Sequence, residues 1–164
     1  MQWEINGVSI EQEEMLEELK HQPLPLGVIV FGADSGLKAR VYQLLRRKLG
    51  EPLFFDRISL DCYVGQIKMA FKHGRPVIVC MCGDDSIHHG SIQQLANRLK
   101  NLGARTIVGV YVKVTRRDDI DFAVLEREAD FGYRVYCRQI KKLATDPPAL
   151  DNFGCAIVVE SDDD

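Results

Sequence analysis

A chain of 164 residues and 18.6 kDa, 46% hydrophobic and 27% charged, has the size and balance of one globular domain with short extras. That balance excludes wholesale disorder, and no apolar run reaches the ~20 residues that a membrane-spanning helix needs. The net charge of −3 is unevenly spread: residues 1–22 hold six acids and one lysine, and residues 160–164 hold four acids. Between them, residues 23–159 keep 20 basic and 14 acidic side chains, a net of +6. A basic body suits an anionic ligand and equally suits an ordinary solvated surface. Five cysteines at irregular positions do not make a disulfide framework. The acidic start, MQWEINGVSIEQEE, has no apolar core of a secretory signal. A reducing cytoplasm is the expected compartment.

Taken in chain order, Asn6-Gly7 sits between two short β-prone runs and predicts a tight hairpin turn. Ser9 is placed to cap a helix over Glu11–Gln22, with Met15, Leu16 and Leu19 on its apolar side. Pro23 and Pro25 end that helix. Residues 1–25 are therefore expected as an appendage, 26–160 as the main domain, and 161–164 as an acidic tail. In the main domain, Leu26–Phe31 reads as a buried strand and Lys38–Leu49 as a helix with Arg46, Arg47 and Lys48 at its end. Leu53–Leu60 holds a strand at one end, Cys62–Lys72 is helical, and Pro76–Cys82 is a second buried strand. Ser91–Leu102 reads as a helix and Ala104–Val114 as a third strand. Helices are predicted over Asp119–Asp130 and Phe131–Leu143, and a last strand over Asn152–Glu160.

Strands apolar on both faces and separated by helices predict a three-layer α/β/α domain around a mainly parallel sheet. Ligands of such sheets bind at the carboxyl ends of the strands, here the loops after Phe31, Leu60, Cys82 and Val114. The first of these loops runs Gly32-Ala33-Asp34-Ser35-Gly36-Leu37-Lys38. Glycines that admit an anion to backbone N–H groups, a helix start and a lysine are the parts of a phosphate cradle. Gly32, Ser35, Gly36 and Lys38 are the candidate binding residues. Against G-x-x-x-x-G-K-[ST], Gly36 comes one position early, Leu37 replaces the second glycine, and Ala39 replaces the Mg²⁺-binding hydroxyl.

From Leu26 to Glu160 the chain resembles the small P-loop kinases of the polynucleotide kinase and zeta-toxin type. The segments that carry the resemblance are Ile58-Ser59-Leu60-Asp61, Gly74–Cys80 (GRPVIVC), Gly103–Val112 (GARTIVGVYV) and Asp151–Val159 (DNFGCAIVV). The resemblance implies a P-loop NTPase-like fold, with ATP as the nucleotide and Lys38 on the outer phosphates. It places Asp61 by an acceptor hydroxyl as base or orienting group, and Arg127, Arg134 and Arg138 in a lid that neutralises the transferring phosphoryl. The departures are as informative. Cys80 stands where those kinases carry an acid and Ala39 where they carry the hydroxyl, so both protein contributions to a Mg²⁺ site are missing. Asp84 and Asp85 lie a few residues beyond as substitutes or as plain loop acids.

Residue-level alternatives stand beside these roles. Asp61 also reads as a helix cap, and Arg134 and Arg138, four apart, as a solvated helix face. Cys80 and Cys82, two apart on a strand, are expected to face one side, with His73, His88 and His89 nearby. Their spacing is not that of a structural zinc site, and no metal is assigned. Two functions follow. The first is a kinase-like protein that binds a nucleotide or phosphorylated small molecule, with phosphotransferase activity weak or lost. The second is a non-catalytic interaction module that keeps only the fold and docks a partner, or a second copy, through the N-terminal helix. Nucleic acid stays open as a partner, and no membrane partner is expected.

Overall fold

A computed structural model describes residues 1–49, 53–55, 60–113, 142–143 and 155–160. The helices expected over Asp119–Asp130 and Phe131–Leu143, with the lid arginines Arg127, Arg134 and Arg138, lie outside the described residues, Lys142 and Leu143 excepted. So does the acidic tail.

The described chain is a mixed α/β fold of seven strands and four helices. The strands are β1 (Gln2–Ile5), β2 (Val8–Ile10), β3 (Leu26–Gly32), β4 (Leu53–Phe55), β5 (Val77–Cys80), β6 (Thr106–Val112) and β7 (Cys155–Glu160). The helices are α1 (Gln12–Lys20), α2 (Ser35–Lys48), α3 (Leu60–Lys72) and α4 (His89–Asn101), with a 3₁₀ turn over Gly83–Ile87 before α4. All strands join one sheet in the order β2-β1-β7-β6-β3-β5-β4. The pairs β4–β5, β5–β3, β3–β6 and β6–β7 are parallel, and β1 runs antiparallel to both β7 and β2.

β3 lies at the middle of the parallel part, between β5 and β6, and all seven of its residues are buried. Alternation along the strands splits the core in two. Val28, Val30, Ile78, Val108 and Val110 join one cluster with the buried faces of α1 and α2. Ile29, Phe31, Val77, Val79 and Ile107 join the other with α3 and α4. Helices therefore pack on both sides of β3, which is why its sequence carries no polar residue. Each of the large side chains buried here contributes roughly 1.5–3 kcal/mol of apolar burial.

The N-terminal segment forms the expected hairpin and helix, and both are built into the main sheet and core. Asn6 (φ 51°) and Gly7 (φ 84°) both take the positive φ of a two-residue turn. β1 then pairs with β7, Trp3 opposite Val159, while Trp3, Met15, Leu16 and Leu19 are buried in the first cluster. The Asn-Gly signal is local and specifies the turn; it carries no information about what pairs with the far edge. Without the hairpin, β7 would be a bare edge. Ser9, expected as a cap, belongs to β2; Glu11 holds the cap position of α1 and makes no side-chain cap bond.

An informative boundary shift falls at α2. It begins at Ser35, three residues before the predicted start, because the Asp34 carboxylate accepts from the Leu37 N–H at 3.0 Å and caps it. Only Ala33 and Asp34 are left to link β3 to the helix. Gly32 ends the strand at φ +134°, and a Cβ there would stand 2.2 Å from the carbonyl oxygen of Val112 on β6. Gly32→Ala is therefore expected to lower unfolding stability by at least ~3 kcal/mol in urea titration, from strain and backbone overlap together. A loss below ~1 kcal/mol would mean that β6 yields at that point.

Candidate functional site

The carboxyl ends of β3 and β5 are where an open α/β sheet offers a ligand its place. There the early start of α2 sets the side chains. Ser35 and Gly36 face outward, while Leu37 and Lys38 turn inward and are 3% and 4% exposed. Leu37 joins the apolar cluster under α2.

Lys38 is a buried cation and must find acceptors. Its Nζ donates to the carbonyl oxygen of Met81 at 3.1 Å, just past the end of β5, and to the Oγ of Ser86 at 2.8 Å. Ser86 sits in the 3₁₀ turn and is fully buried. The Gly32 N–H donates to the same Oγ at 3.0 Å, and the Ser86 hydroxyl donates to the Gly32 carbonyl at 2.8 Å. One oxygen thus collects a backbone N–H from the loop and the ammonium of the helix. Burial lowers the Lys38 pKa below its ordinary value; Cys80, Cys82 and Asp34 act in the opposite direction.

The sequence-derived residues are distributed as follows. Gly32 and Lys38 come together on Ser86, whereas Ser35 and Gly36 are one turn out on the surface of α2. Asp61 lies in the first turn of α3 and pairs with Arg98 of α4, an exposed ion pair worth little to stability. No hydrogen bond or ion pair joins it to Lys38 among the described residues. Arg134 and Arg138 lie outside the described residues. Cys80 is buried at the end of β5, whereas Cys82 lies past the strand and is exposed, so the two are not on one strand face. Among the described residues no group of three or more His, Cys, Asp or Glu is placed to hold a metal. Asp85 accepts from the Ser91 Oγ at 3.2 Å, and His88 Nδ1 accepts from the Ser91 N–H at 3.3 Å, so this acid and this imidazole build the start of α4.

Sequence reasoning missed Ser86 and Met81. A serine 48 residues from Lys38 has no local signature; only the parallel pairing of β3 with β5 brings it there.

No protein-family model matches the chain, and no curated protein does. Among solved structures the chain is similar to the solution NMR structure of a de novo designed PLOOP2X3_50 fold protein. The two are 15% identical, with 86% of this chain and 83% of that one covered and a TM-score of 0.44.

Two measurements check the site. A Cβ on Gly36 meets nothing closer than the Asp34 Oδ1 at 3.6 Å, so Gly36→Ala is expected to stabilise α2 by roughly 0.5–1 kcal/mol in urea titration. A destabilisation would show that the backbone there needs glycine for a reason the packing does not contain. Tyr111, stacked on Phe31 at 5.6 Å, is pushed up to about 12 by burial. Its phenol is neutral in the folded state through a range where the unfolded phenol, near 10, ionises. Stability is thus full below pH ~10 and falls between pH 10 and 12, by on the order of 2–3 kcal/mol. Tyr111→Phe should flatten that fall in urea titrations at stepped alkaline pH; an unchanged slope would contradict the assignment.

Proposed function

We propose that this chain is a non-catalytic protein-interaction module on a three-layer, P-loop NTPase-like α/β/α fold, its phosphate position filled by its own atoms. One observation carries this reading. The Gly32 N–H and the Lys38 ammonium, the two kinds of donor a phosphate cradle offers, both end on Ser86 Oγ.

The neighbouring chemistry supports it. The Asp34 carboxylate occupies the N-terminus of α2, where the partial positive charge of the helix would otherwise face an anion. A two-residue link cannot wrap a phosphate as a longer glycine loop does. Ala39 and Cys80 bring no oxygen ligand to a Mg²⁺ ion. The residues present do not fit a Mg²⁺-nucleotide.

A partner must then be met at the surface. Met15, Leu16 and Leu19 are spent on the chain's own core, so α1 presents Glu11, Glu13, Glu14, Glu17 and Glu18 outward. That leaves an acidic helix face for docking, without an apolar stripe.

Calorimetric titration with ATP and with GTP, each with and without Mg²⁺, tests the reading. No binding up to millimolar nucleotide is expected. Binding strengthened by Mg²⁺ and abolished by Lys38→Ala would overturn it in favour of a kinase-like nucleotide binder.

A further inference from the structure

β2 ends the sheet among the described residues, with β1 on one side and nothing on the other. Its sequence, Val8-Ser9-Ile10, has none of the lysines, prolines or inward charges with which edge strands are usually guarded, and Val8 is 69% exposed. The two-residue turn makes Ile5 and Val8 the hydrogen-bonded pair that closes it. Alternation along the ladder then directs the Ser9 N–H and C=O away from β1, toward the open edge.

A cavity of about 450 Å³ lies beside this edge, lined among others by Met1, Trp3, Ile10, Glu11, Gln12 and Glu14. Trp3 and Ile10 are paired in register and pack toward α1, so the cavity is on the α1 side of the sheet. Among the described residues no lysine or arginine side chain lines it, and Glu11 and Glu14 are exposed at its α1 wall. Trp3 itself is 3% exposed, and its indole N–H is buried without an acceptor among the described residues. A group of this kind costs about 1–3 kcal/mol where it stays unmatched.

We infer that this edge and cavity bind an extended, basic peptide segment of a partner protein. The peptide adds as a further strand on β2, exchanging main-chain hydrogen bonds with Ser9. Every second side chain of an added strand falls on the α1 side. A lysine or arginine there enters the cavity, its stem along Trp3 and Ile10 and its charge against Glu11 and Glu14. The inference rests on the interaction-module reading and gives it a partner chemistry.

Trp3 is the single tryptophan of the chain, so its fluorescence reports on this site alone. The test titrates the full chain, without an N-terminal tag, with a blocked hexapeptide alternating lysine and valine, and with one alternating glutamate and valine. The lysine peptide should give a saturable change in emission, and the glutamate peptide none. Combined Glu11→Gln and Glu14→Gln should weaken binding at least tenfold, as should Ser9→Pro, which removes the outward N–H. Circular dichroism and the urea midpoint establish that Ser9→Pro is folded; if it is not, the exposed glutamate pair carries the test. Absence of a response up to about 1 mM peptide, equal responses to both peptides, or indifference to the glutamate substitutions would overturn the proposal. So would a dimer of the chain alone that Ser9→Pro dissolves, since the edge would then belong to a second copy. The nucleotide titration is independent of this result: a chain that binds neither nucleotide nor peptide loses this site and keeps the interaction-module reading.

Discussion

An ammonium group withdrawn from water has to be given oxygen acceptors within the fold, and Lys38 is given two. The Met81 carbonyl and the Ser86 hydroxyl hold it at the carboxyl ends of β5 and of the turn that follows. Much else at this end of the molecule depends on that requirement. The helix α2 must start early enough to turn Lys38 inward, which fixes Asp34 as its cap and shortens the link from β3. The 3₁₀ turn must hold Ser86 against Gly32, and Gly32 must be glycine because β6 passes too close for a side chain. Desolvation opposes the charge, and the hydrogen bonds to it, roughly 1.5–3 kcal/mol each, offset that cost.

The same arrangement decides what the site can do. A cradle works by leaving donors unsatisfied until an anion arrives, whereas here the donors are committed before any ligand is present. Ser86 Oγ accepts from two of them and returns its own proton to the Gly32 carbonyl, which closes the network on itself. The proposal of an interaction module rests on that closure, and it moves attention to the opposite end of the sheet order, where among the described residues β2 has no outer neighbour and α1 is acidic.

The mixed α/β class with a mostly parallel sheet was legible in the sequence because β3, β5 and β6 are apolar on both faces and the helices between them are amphipathic; periodicity alone separates such elements. The integration of residues 1–25 was not legible, since the pairing of β1 with β7 spans the whole chain and leaves no local mark. The glycine-rich loop was legible as a β-to-α link with a lysine behind it. Its meaning was not. Gly32 and Lys38 look the same in sequence whether their donors meet a phosphate or a serine, and the serine lies on a distant segment. Asp61 offered a cap or a base on local grounds and instead pairs with Arg98 of the neighbouring helix.

The central claim is that Lys38 and Ser86 are energetically one unit. A double-mutant cycle reads this directly: urea unfolding of the wild type, Lys38→Met, Ser86→Ala and the double variant. The account predicts a coupling of ~1–3 kcal/mol, because either substitution alone removes the charged hydrogen bond between them and leaves Lys38 with Met81 alone or Ser86 with Gly32 alone. Stability changes that add to within ~0.5 kcal/mol would contradict it, and would leave the Lys38 ammonium available for another ligand.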